Sequence, residues 1–197
     1  GGEAFLPLHY FRLLRSRNIE AWLVVHSRTQ TELETLFPED CNRMHFVADT
    51  WLHRLLYHCG QLLPRRVREA TTGLISHLYT QVIQRRIICR LVRKHKIDIV
   101  HEPMPVSPKY PSLMFAVGAP VVIGPLNGGM EFPPAFQYRQ SRLVKLIVSL
   151  SHQFADLVNH LLPGKLRAQT LVVANERTRQ ALPTGVRGRI IDLVENG

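Results

Sequence analysis

The stretch PVVIGPLNGGME, Pro120–Glu131, decides how this chain folds. Pro120 to Ile123 is a short β-branched run of the kind that fills a strand buried on both faces. It passes at once into Gly124 to Phe136, a loop dense in glycine and proline. Upstream, Ile97 to Val100 repeats the pattern, an apolar strand followed by His101-Glu102-Pro103, with Pro105, Pro108 and Pro111 behind it. Downstream, Leu171 to Ala174 reads as another short strand, Glu176 to Leu182 as a helix and Arg189 to Val194 as a final strand.

The amino-terminal part continues the alternation. Residues 3 to 17 read as a helix, with Phe5, Leu6, Leu8, Phe11, Leu13 and Leu14 at helical spacing and Arg12, Arg15 and Arg17 on the other side. Glu20 to His26 (EAWLVVH) and Arg43 to Ala48 read as strands, Thr50 to Leu63 as a helix ending before Pro64, and Arg65 to Lys96 as a long helical region containing only Gly73 as a breaker. A short helix is expected at about Ser112 to Val117, and a longer one at Arg139 to Leu162. Strands alternating with helices, without internal repeats, predict an α/β fold: a doubly wound, mostly parallel sheet with helices on both faces, Rossmann-like, in one domain spanning residues 1–197. Such a fold begins with a strand and a Gly-rich turn, whereas Gly1-Gly2-Glu3 leads directly into a helix, so the first strand is expected to be missing and the chain to be an excised segment.

Composition narrows the class. The 45% hydrophobic and 20% charged content is that of a globular protein. No apolar run reaches the roughly 18 residues that a spanning helix needs, and the first residues lack a secretion pattern. Cys41, Cys59 and Cys89 are three, unpaired in spacing, and form no C-x-x-C, which argues against a disulfide framework and for a reducing, cytoplasmic setting. His53 and His58 lie five apart, off a common helical face, and His152 and His160 lie eight apart with no further ligands nearby, so no metal site is expected. The net charge of +10 calls for an anionic partner, and nucleic acid, an anionic membrane surface and phosphorylated substrates all qualify.

In open parallel sheets ligands sit at the carboxyl ends of strands, so the segments that follow strands carry the candidate site. His101 and Glu102 follow the strand Ile97 to Val100, with Pro103 biasing Glu102 towards extended geometry. An imidazole and a carboxylate at the crevice edge suit proton transfer or hydroxyl binding, and a plain proline-rich connection is the competing reading. In the second segment Gly128 and Gly129 permit close approach of a ligand, while Asn127 and Glu131 suit sugar hydroxyls, against the simpler reading of a glycine turn. Asn175, at the start of a helix, is explained by capping as well as by ligand contact.

Three pieces in this order, DIVHEP (Asp98–Pro103), PVVIGPLNGGME (Pro120–Glu131) and VVANERTRQAL (Val172–Leu182), resemble the amino-terminal domain of glycosyltransferase family 4, retaining enzymes of the GT-B type. The similarity covers nearly the whole chain; Gly1-Gly2-Glu3 looks like the end of the family's Gly-rich first loop, and VENG (Val194–Gly197) like the start of its linker. The resemblance implies a hexosyltransferase-type enzyme that moves a sugar from a nucleotide-sugar to a hydroxyl acceptor with retention, in polysaccharide or lipid-linked saccharide synthesis. It implies no bound cofactor; the nucleotide-sugar enters as substrate and is held mainly by a second domain carrying paired glutamates seven residues apart. This chain would then be the acceptor-binding half, inactive alone, with Gly2, Glu3, Asn127, Gly128, Gly129, Glu131 and Asn175 near the acceptor and His101 and Glu102 near the chemistry. Many members place a histidine in the loop held here by Gly124 to Glu131; Asn127 stands in its place.

One further feature bears on partners. Over Val82 to Lys96, Ile83, Ile87, Ile88, Leu91 and Val92 take one side of a helix, and Arg85, Arg86, Arg90, Arg93 and Lys94 largely the other. A solvated outer face and docking on anionic lipid are both open, the latter placing the protein peripherally on the inner face of the plasma membrane. A basic nucleic-acid-binding or membrane-binding α/β module without catalysis is the alternative function. No nucleic-acid partner is expected, since zinc-finger spacing and aromatics interleaved with basic residues are lacking. A nicotinamide-dependent oxidoreductase is disfavoured because no G-x-G-x-x-G joins a strand to a helix.

Overall fold

A computed structural model describes residues 5–128 and 157–193. The fold is Rossmann-like α/β: parallel strands alternate with helices. Where the sequence reads as one domain, the chain divides into two compact units, Gly1–Lys96 and Ile97–Gly197, each with its own parallel sheet.

The first unit contains α1 (Leu6–Ser16), β1 (Leu23–His26), α2 (Gln30–Leu36), β2 (Met44–Val47), α3 (Trp51–Gln61), α4 (Arg65–Arg68) and α5 (Leu74–His95). Helix α1 buries Phe11, which meets Phe37 edge-on at 6.2 Å, and ends where Asn18 turns left-handed at φ 57°, a conformation asparagine tolerates. Strands β1 and β2 pair in parallel from Leu23↔Met44 to His26↔Val47, and Phe11, Ala21, Leu23, Leu33 and Met44 form a shared core. The long region predicted from Arg65 to Lys96 is helical, but Glu69–Gly73 is a π turn between α4 and α5. There Gly60 of α3 crosses so closely that a Cβ would lie 2.8 Å from Thr72 Oγ1, which explains a glycine inside a helix.

The second unit contains β3 (Val100–Glu102), β4 (Val121–Leu126), α6 (Gly164–Arg167), β5 (Thr170–Val173), α7 (Glu176–Gln180) and β6 (Arg189–Asp192). The four strands lie in the order β3-β4-β5-β6, every pair parallel. Val121, Ile123, Leu126, Leu171 and Val173 are all buried, while the alternate Val122, Thr170 and Val172 are half-buried, so one face of the sheet is sealed more completely than the other.

Three local expectations are corrected here. The strand assigned to Ile97–Val100 starts only at Val100, because the chain leaves α5 through a left-handed Lys96 (φ 50°), so His101 and Glu102 lie inside β3 and pair with Val122 and Ile123. No helix forms at Ser112 to Val117, where Ser112 Oγ accepts the amide of Met114 and Ala116 turns left-handed at φ 50°. Strand β4 continues through Gly124 and Pro125 to Leu126, with a register shift against β5. At Gly124 (φ 125°) a Cβ would lie 2.4 Å from the Val172 carbonyl oxygen, so only glycine lets the strand pass. Of the helix predicted over Arg139–Leu162, residues 157–161 are helical and residues 139–156 lie outside the described part.

Candidate functional site

At the carboxyl ends of β4 and β5 two exposed amides meet. Asn127 follows β4 directly, Asn175 caps α7 just after β5, and Asn175 Nδ2 donates to Asn127 Oδ1 at 3.4 Å. Buried Thr178 organises both: its amide donates to Asn175 Oδ1 at 2.9 Å, and its hydroxyl accepts the Gly128 amide at 3.0 Å. The capping spacing from Asn175 to Thr178 was visible in the sequence, but the reach of Thr178 to Gly128, fifty residues away, was not.

The loop between β3 and the 112 region braces this arrangement. Asn127 donates its amide to the Val106 carbonyl at 2.8 Å, and a Cβ on Gly128 would lie 2.6 Å from Pro108 Cδ. The close approach that Gly128 allows is therefore to Pro108 of its own chain, where the sequence pointed to a ligand. Beneath the loop, Lys165, 1% exposed, donates from Nζ to the carbonyls of Ser107 (2.6 Å) and Pro108 (2.8 Å). Burial pulls its pKa down to about 7, opposed by the charge of Glu102. No sequence signal announces Lys165, because its partners stand 57 and 58 residues earlier.

His101 and Glu102 part company within β3. Alternation along the strand turns Glu102 inward with Val100, where its Oε2 accepts the Ser112 hydroxyl at 2.5 Å, so it anchors the loop from inside. Half-buried His101 donates from Nε2 to the Gly124 carbonyl at 2.6 Å; burial lowers its pKa and that carbonyl raises it, with burial dominant, so the ring is neutral at pH 7. Neither residue trails the strand as the sequence suggested. Gly2, Glu3, Gly129 and Glu131 lie outside the described residues. On α5, Arg86, Arg90, Arg93 and Lys94 are exposed and Arg85 is half-buried.

The first unit holds a polar cluster that the sequence did not reveal. Parallel pairing brings His26, at the end of β1, beside Asp49, just past β2, and His53 of α3 completes a group whose ligating atoms lie within 4.8 Å of one another. The group is already closed by protein partners. Arg28 donates to Asp49 Oδ1 at 3.0 Å and its amide to His26 Nδ1 at 3.3 Å. The Thr50 amide donates to His53 Nδ1 at 3.2 Å, which leaves Nε2–H to donate to Thr80 Oγ1 at 2.9 Å. A cation would have to displace these bonds, so the set fits a metal poorly. Burial, followed by the Arg28 charge and the His53 ring, lowers the pKa of His26; burial also lowers that of His53.

Neither protein-family models, curated proteins nor solved structures gave a match to this chain. Among the described residues, no helix is long and apolar enough to cross a membrane.

Proposed function

We propose that the chain is the acceptor-side half of a retaining glycosyltransferase of the GT-B type, acting on a sugar or lipid-linked hydroxyl acceptor while a second domain holds the nucleotide-sugar. The observation that carries this reading is the pair of exposed amides, Asn127 and Asn175, joined at the carboxyl ends of adjacent parallel strands and held by buried Thr178. Amides donate and accept at once, which matches the dual character of sugar hydroxyls, and the strand ends are where open α/β sheets bind ligands. The resemblance of the motifs at Asp98–Pro103, Pro120–Glu131 and Val172–Leu182 to that family supports the reading. In this reading the neutral His101, bonded to the Gly124 carbonyl of β4, serves as a hydrogen-bonding or proton-moving group, and Glu102 with Lys165 positions the loop under Asn127.

Saturation-transfer NMR on the 197-residue chain tests this with glucose, galactose, mannose and N-acetylglucosamine, and separately with UDP. At least one sugar is expected to show contact that the Asn127→Ala, Asn175→Ala double variant loses, while UDP shows little. Strong UDP binding, or sugar signals indifferent to both substitutions, overturns the reading.

A further inference from the structure

The net charge is concentrated in one segment. Residues 50–97 hold ten of the 25 Lys and Arg but one of the 15 Asp and Glu, so they carry nine of the ten net positive charges. In the fold this segment is a helical hairpin: α3 runs antiparallel to α4 and α5, with Gly60 against Arg68 and Thr72 at one end and His53 against Tyr79 and Thr80 at the other.

His53 and Gly60 therefore mark the face of α3 turned towards α5. On the opposite side stand Trp51, Leu55 and Leu62, within about 40° of one another at 100° per residue. They are 69%, 48% and 87% exposed, with exposed Arg54 and His58 on their flanks. A soluble helix ordinarily turns such a stripe inward and its charges outward; here α3 shows an apolar ridge. On α5, Arg86, Arg90 and Arg93 follow one another at helical spacing on the exposed side, and Ile75 and Val82 are also exposed, about three turns and one turn before Arg86. Glu69 is the sole acidic residue of the segment, so the hairpin has no carboxylate supply of its own to neutralise these arginines.

An exposed tryptophan and two leucines beside a dense positive field match one surface chemistry, the interface of an anionic bilayer. Aromatic and aliphatic side chains settle there at headgroup depth while arginines meet lipid phosphate and carboxylate. Nucleic acid would answer the charge but offers no apolar layer for the ridge. We propose that the α3–α5 hairpin docks the protein on anionic phospholipid, with Trp51, Leu55 and Leu62 as the inserted anchor and Arg86, Arg90 and Arg93 as the electrostatic contact. The proposal extends the expected basic face of α5 to an apolar anchor on α3, and it stands or falls separately from the sugar-transfer reading.

Vesicle co-sedimentation and tryptophan fluorescence on the 197-residue chain test it. Trp22→Phe leaves Trp51 as the one reporter of the chain's two tryptophans. Vesicles with about a third phosphatidylserine are expected to bind at least about tenfold better than pure phosphatidylcholine, with the advantage falling as salt rises. Brominated acyl chains are expected to quench Trp51. The triple variant Trp51→Ser, Leu55→Ser, Leu62→Ser is expected to weaken binding by about tenfold or more while retaining its salt dependence, and Arg86→Glu with Arg90→Glu to abolish the phosphatidylserine preference. All five positions are exposed, so circular dichroism should stay unchanged, which separates lost docking from lost folding. Equal binding to both vesicles, no quenching of bound Trp51, tighter binding to duplex DNA than to vesicles, or lipid-free self-association that shields Trp51 overturns the proposal.

Discussion

At the scale of single residues, Lys165 is the most consequential side chain of the second unit. Its ammonium is buried, bonded to two carbonyls and set in the field of Glu102, so its removal strands an acid and two acceptors at once. Lys165→Met is expected to cost about 3–5 kcal/mol, read by urea unfolding. Adding Glu102→Gln should recover part of that loss, because the buried charge left behind is then neutral, and a double variant no more stable than Lys165→Met would show the two do not act as a pair. The same residue illustrates what a sequence hides: PGKL looks like an exposed turn, and only the return of the proline-rich loop over it makes the lysine internal.

Among elements, α3 shows how capping and clustering coincide. His53 at its third position takes the Thr50 amide, and Thr50 Oγ1 lies 3.0 Å from the same ring nitrogen. Thr50→Ala should lower stability by about 1 kcal/mol in chemical denaturation, and Thr50→Ser should restore most of it. Periodicity made α1, α3, the long α5 and the strands β1, β2, β5 and β6 legible to within a few residues, because each pairs a continuous apolar pattern with a clear breaker such as Asn18 or Pro64. It misplaced β3, because Ile97 and Ile99 look like strand while the left-handed Lys96 delays pairing until Val100. It also invented a helix at Ser112–Val117, where side-chain bonds to Ser112 win over local propensity. Asn127 and Asn175 were readable as loop residues after strands; their union through Thr178, and the meeting of His26 with Asp49, depend on strand pairing that no local pattern encodes.

For the molecule as a whole, the buried basic groups set a common pH trend. Burial first, with neighbouring positive groups, holds His26 and His45 below the ordinary histidine value of 6.5; burial also holds down His53, with Arg28 assisting and Asp49 opposing, and His101 against the pull of the Gly124 carbonyl. A depressed folded-state pKa gives stability that is complete above 6.5 and lost as pH falls through the lower folded values. Lys165 acts in the same direction higher up, its contribution complete above 10.5 and lost as pH falls through about 7. The melting temperature is therefore expected to rise from pH 5 through pH 9, in a scan of buffers at constant ionic strength. In Lys165→Met the rise above pH 7 should flatten while the histidine part below it remains; an unchanged alkaline slope would remove Lys165 from the account.

The π turn at Glu69–Gly73 works as a phase shifter. An α-helix advances 100° per residue, and one surplus residue in a turn rotates everything beyond it by that amount relative to everything before it. The notch at Gly60 meets Arg68 before the turn and Thr72 within it, so the offset is pinned by tight packing. Excising one residue there would spin α5 by about a quarter of a circle under α3. Ile75, Val82 and the Arg86–Arg93 row would then swing towards the interior, and the apolar row that now seats α5 would swing towards water. One inserted residue thus chooses which side of a 22-residue helix the protein shows to its surroundings.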